Sequence, residues 1–155
     1  MAVDRSEQLL DAICQATGVP EKFNGWPEGV RAIQLWDNRM PSYFFRIFGR
    51  PVRATVCECE RSGEPSIAQA LHLMNGDAVN DRIRRGKVVE RLIAEGRKDR
   101  EIMDELFLRV FGRAPRAAEV AAVTQALAAD PANRQAVHED LFWALMNSKE
   151  FYFNH

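Results

Sequence analysis

Residues 99–111 read DREIMDELFLRVF, and this stretch decides the fold class. Ile102, Met103, Leu106, Phe107, Val110 and Phe111 recur at the spacing that puts apolar side chains on one face of an α-helix, with charged residues between them. Asp99 is expected to cap this helix, its carboxylate accepting from the unpaired amides of the first turn. Gly112 is expected to end it, since glycine takes the left-handed backbone of a helix terminus without steric penalty.

Beyond Gly112, Pro115 suits the first turn of another helix, alanine-rich through Ala129, and Asp130-Pro131 marks its break. A last helix runs from about Asn133 to Asn147 or beyond, burying Val137, Leu141, Phe142, Leu145 and Met146, with Trp143 beside the stripe. His138 is expected to face solvent, and His155 is the last residue. Towards the amino end, Gly86 to Glu95 reads as a short helix buried through Val88, Val89, Leu92 and Ile93 and closed by Gly96. Ser66 with Gln69 has the form of a capping box, followed by Ile67, Ala70, Leu71 and Met74 before Asn75-Gly76 breaks the pattern. Ser6 to Thr17 repeats the helical spacing with Leu9, Leu10, Ile13 and Cys14, and Gly18 and Pro20 stop it. Cys14 therefore faces a core.

The region between Val19 and Glu64 is of another kind. It holds Pro20, Pro27, Pro41 and Pro51 together with Trp26 and Trp36. Pro41 to Phe48 reads as one aromatic helix, whereas Val52, Ala54 and Val56 alternate with Arg53 and Thr55 as an extended segment does. The expected architecture is mainly α: a single-domain helical bundle of about six to eight helices, with a long ordered loop region between residues 19 and 64. No repeat or linker divides the chain, so residues 1–155 read as one domain.

Composition narrows the function classes. At 155 residues, 46% hydrophobic and 28% charged, the chain is long enough and apolar enough to fold around its own core, which excludes a disordered segment. A net charge of -1 provides no whole-molecule field towards nucleic acid or an anionic membrane. No apolar run approaches the ~20 residues of a transmembrane helix. The opening MAVDRSEQLL lacks the basic start and apolar stretch of a signal peptide, so the chain is expected to be soluble as it stands.

Reactive side chains are densest at Cys57-Glu58-Cys59-Glu60-Arg61. In an extended chain both thiols and Arg61 project to one side, an arrangement that can hold a soft metal or serve thiol redox chemistry. Glu60 and Arg61 would then stand behind the thiols, and His72 is the nearest further ligand; a zinc site needs about four. The simpler reading packs both thiols as small hydrophobes and pairs Glu60 with Arg61. Three cysteines cannot all pair within one chain, and without Cys-x-x-Cys-His the chain carries no haem-attachment motif. Carboxylates such as Glu58, Glu60 and Glu64 could serve acid–base hydrolysis, but their spacing singles out none of them.

Asp81 to Arg100 contains eight basic residues against four acids, and Arg46, Arg50 and Arg53 neighbour Tyr43, Phe44, Phe45 and Phe48. Basic groups among aromatics also serve single-stranded nucleic acid, but the aromatics here are spaced as a helix core and the footprint is small, so no nucleic-acid partner is expected. Trp36, Tyr43, Phe44, Phe45 and Arg46 are better read as a candidate protein contact surface, since interface cores favour aromatic residues and arginine.

One resemblance joins these motifs. Phe48-Gly49-Arg50-Pro51, the Cys57 to Arg61 segment, Glu64-Pro65-Ser66, Gln69 to Gly76 and the ending Leu141 to Phe151 with Asn154-His155 together resemble the planctomycete surface domain. That family of uncharacterised domains usually forms the C-terminal end of large planctomycete proteins that also carry a cytochrome-c-like domain. The resemblance implies a non-catalytic module at the C-terminal part of an exported or envelope protein. It implies as partners the other domains of that parent, a haem-bearing one among them, and a periplasmic or envelope location.

Overall fold

The computed structural model describes residues 5–23, 25–35 and 77–154. Its helices are α1 (Arg5–Thr17), α2 (Asp77–Gly86), α3 (Val88–Ala94), α4 (Asp99–Phe111), α5 (Ala117–Ala129), α6 (Arg134–Met146) and α7 (Lys149–Asn154). Single 3-10 turns occupy Ala32–Gln34 and Pro131–Asn133, and no strand occurs among the described residues. The protein is mainly α, as its periodicity requires. The segment expected as a helix from Ser66, the aromatic stretch from Pro41 to Phe48 and most of the loop region lie outside the described residues.

Helix α4 has the expected bounds and buries Ile102, Met103, Leu106, Phe107 and Val110. Gly112 closes it with φ 67, donating its amide to the carbonyl of Leu108. Asp99 does not cap it, which corrects the sequence reading: Lys98 holds the extended cap position, and its amide donates to Glu101 at 2.8 Å. A glutamate three residues into the helix reaches back more readily than a side chain already inside the first turn. Helix α5 starts in the same way, with the Arg116 amide donating to Glu119 at 2.6 Å, so Pro115 precedes the helix instead of opening it.

Two boundaries differ further. The segment read as one helix from Gly86 begins only at Val88, because Gly86 ends α2, whose sequence DAVNDRIRRG is too polar to announce itself. A Cβ at Gly86 would stand 2.0 Å from the carbonyl oxygen of Thr17, so the ends of α1 and α2 cross at a contact that only glycine allows. Lys87 then takes a left-handed conformation (φ 49), and the break brings Val88, Val89 and Leu92 into the same cluster as Val79 and Ile83. The last helix stops at Met146, and α7 follows as a separate piece.

Helix α6 is central: it packs against α2, α3, α4 and α5, while α7 packs against α4. Phe142, Leu145 and Met146 enter the main core with Leu9, Ile13, Ile102, Leu106, Phe107 and Phe151. Val137 and Leu141 are only half-buried. A smaller cluster of Leu10, Phe23, Ala32 and Leu35 sits on the other side of α1, where Cys14 is half-buried as expected. Buried Asp11 fixes this side by accepting from the amides of Ala32 (2.7 Å) and Ile33 (3.3 Å) at the start of the 3-10 turn.

Candidate functional site

Three clusters of ionisable side chains form among the described residues, and each joins elements distant in sequence. The first is centred on His138, which α6 places in the interior with no solvent exposure. This corrects the expectation of a solvent-facing imidazole. His138 precedes Phe142 by one turn and Leu145 by two, so it belongs to the buried face of α6. Its Nε2 lies 3.0 Å from Asp99 Oδ1, and because an ionised carboxylate only accepts, Nε2 carries the proton. Arg134 Nε donates to the same oxygen at 2.6 Å, and Arg134 Nη2 donates to the carbonyl of Arg97 at 2.7 Å. The hydrogen bond from His138 and the guanidinium of Arg134 hold the Asp99 carboxyl below the usual carboxylate range. Asp99 thus ties the start of α4 to α6 instead of capping its own helix.

The second cluster is Arg113, at the α4–α5 junction. Its guanidinium donates to both oxygens of Glu119 (2.9 and 2.8 Å) and to both oxygens of Glu150 (2.6 and 2.9 Å). Nη1 also donates to the carbonyl of Ala114 at 3.0 Å, within the turn that joins the two helices. The group lies 5.5 Å from the ring centre of Phe107 and 5.0 Å from that of Phe111, within reach of their π-faces. Forked hydrogen bonds of this kind favour the ionised carboxylate, which brings the Glu119 pKa down to about 2 and lowers that of Glu150 as well.

In the third, buried Arg82 extends from α2 towards α1 and the chain that follows it. Its Nη1 donates to the carbonyl of Val19 (3.0 Å) and to Cys14 Sγ (3.4 Å), and its Nη2 pairs with Glu21. Burial pushes the Cys14 thiol up, outweighing the opposing pull of Arg82, so the sulfur keeps its proton and is a poor nucleophile.

Chemically, these clusters are closed. The Asp99–His138 pair has the polarity of a base supported by a carboxylate, but His138 Nδ1, the nitrogen that would take a proton, is buried. Arg113 has its fork filled by two carboxylates. No group of three or more histidine, cysteine or acidic side chains among the described residues is placed to hold a metal. The sequence-predicted candidates Cys57, Cys59, His72, Glu60 and Arg61, and the contact surface Trp36, Tyr43, Phe44, Phe45 and Arg46, all lie outside the described residues. Of the residues that do come together, Arg113 is marked locally only by its place between Gly112 and Pro115, the two residues that signal a helix junction. His138 had one only in its spacing from Phe142.

The described part is therefore an α-helical module whose clustered charges bridge its own helices. The chain matches the model of the PSD1 family, described as a protein of unknown function (DUF1553), over residues 6–127, and it belongs to that family. No curated protein and no solved structure matches it. No helix among the described residues is long and apolar enough to cross a membrane.

Proposed function

We propose that this chain is a non-catalytic structural and interaction module of a larger exported or envelope protein, packing against the other domains of that protein, a haem-bearing domain among them, and positioning them. The observation that carries the reading is how the charged groups are used. Asp99, Arg134, Arg113, Glu119, Glu150, Arg82 and Glu21 are engaged with partners across helix junctions, which is how a rigid spacer uses charge. Membership in a family of unknown function is compatible with this role, and the resemblance of the Cys57 to Gly76 motifs to planctomycete surface domains supports the location. On this reading Cys57 and Cys59 are packing residues and the chain holds no cofactor of its own.

The test is to titrate the purified chain with the separately produced haem-bearing domain of the same parent protein and follow the heat released. Saturable one-to-one association is expected. No association up to about 1 mM, where binding is worth only ~4 kcal/mol, contradicts the proposal.

A further inference from the structure

Three buried side-chain polar atoms among the described residues have no hydrogen-bond partner, and two of them lie at the end of the chain: Asn147 Oδ1 and the Tyr152 hydroxyl. Asn147 and Ser148 form the two-residue joint between α6 and α7. The Asn147 amide nitrogen is used, donating to the Trp143 carbonyl at 2.8 Å, which leaves its oxygen orphaned. A polar atom buried without a partner has given up its water and received nothing for it, and it regains that water whenever the segment opens. Burial alone pushes the Tyr152 pKa up to about 12, the same desolvation seen in another property.

Helix α7 has only six residues, too few to persist without packing. It is seated by Phe151, which reaches the main core, by Tyr152, which packs against that core, and by the hydrogen bonds from Arg113 to Glu150 at its first turn. Ser148 shapes the joint locally, its hydroxyl donating to the Leu145 carbonyl (2.7 Å) and accepting from the Phe151 amide (3.2 Å). These local bonds do not depend on α7 being docked. Two aromatic side chains and a partly exposed ionic contact therefore seat a six-residue segment that leaves the Tyr152 hydroxyl unsatisfied, with Asn147 Oδ1 unsatisfied at its joint.

We propose that α7 is a detachable strap, which undocks as a unit about the Asn147–Ser148 joint while α4 and α6 stay folded. When it opens, Arg113 keeps Glu119, so the α4–α5 junction stays closed, and the seats of Phe151 and Tyr152 are uncovered.

Native-state hydrogen exchange of the full chain, followed segment by segment, tests this. Amides of α7 are expected to exchange roughly tenfold or more faster than those of α4 and α6, because they open locally and not with the whole molecule. Tyr152→Phe removes the orphaned hydroxyl and keeps the ring, so it is expected to slow α7 exchange about fivefold and leave α4 unchanged. Glu150→Gln is expected to speed α7 alone. Equal exchange in α7 and α6, a Tyr152→Phe variant whose α7 exchanges no more slowly, or a Glu150→Gln variant that speeds α4 and α6 as much as α7 would overturn the proposal.

Discussion

Helices α5 and α6 follow one another, have thirteen residues each and are used in opposite ways. Helix α5, AAEVAAVTQALAA, is the more apolar in composition, yet Val123 is its only buried residue. Helix α6, RQAVHEDLFWALM, carries two acids, an arginine and a histidine, yet buries His138, Phe142, Leu145 and Met146. What separates them is the size and placement of apolar side chains. Alanines offer little surface to remove from water wherever they stand, whereas Phe142 and Met146 contribute large areas on the face that meets four neighbouring helices. Helix α5 packs on α6 through Val123 and is tied at its start, where Glu119 meets Arg113.

The contrast can be broken most severely by ending the chain at residue 127, where the family match stops. That removes α6 and α7 and leaves the buried faces of α2, α3 and α4 open, so no cooperative unfolding transition is expected by circular dichroism. A cooperative transition of full amplitude would mean that α6 is dispensable. Single truncations sharpen the same point. Phe142→Ala is expected to cost about 3–5 kcal/mol in urea unfolding, and Val123→Ala no more than ~1.5 kcal/mol, since the first empties the centre of the core and the second an edge. Comparable losses at the two positions would refute the asymmetry.

Acid probes the attachment of α5. Glu119 has a folded pKa of about 2 against an ordinary value of 4.5, and that of Glu150 is lowered as well. A depressed carboxylate contributes stability that is present above its unfolded pKa and lost as the pH falls through the folded one. Urea midpoints are therefore expected to decline between pH 4.5 and about 2, and Arg113→Met is expected to flatten that decline. An unchanged acid limb in the variant would show that the clasp does not stabilise the fold. The smallest effect belongs to α3, one of the neighbours of α6. Lys87 holds a left-handed backbone (φ 49), so Lys87→Gly is expected to raise stability by up to about 1 kcal/mol, read from the urea midpoint; a loss would mean that its side chain matters more than its backbone.

Much of this fold was legible because large apolar residues repeat at the helical period. Ile102 to Phe111 and Val88 to Ile93 need no partner to be recognised, and Gly112 marks its terminus by backbone chemistry alone. Helix α2 was not legible: between Asp77 and Gly86 only Val79 and Ile83 signal a buried face, while the third inward residue is Arg82, whose burial depends on Glu21, 61 residues away. His138 hides its burial for the same reason. A histidine in a charged stretch reads as exposed until Asp99, 39 residues away, supplies its partner. Asp99 in turn reads as a local cap because its partners, Arg134 and His138, are remote in sequence. Local periodicity thus reports helices and their apolar faces, whereas pairings of charge across the fold leave no local trace. The Cys57 and Cys59 candidates fall outside the described residues.

The central claim is that clustered ionisable groups in this chain act as joints between helices. It is tested most directly by a double-mutant cycle on Asp99→Ala and His138→Ala, with stability read from urea unfolding. Coupling on the order of 1 kcal/mol or more is expected, because each side chain is the other's partner across the α4–α6 contact. Additive losses, with coupling near zero, would contradict the account and leave the pair free for another role.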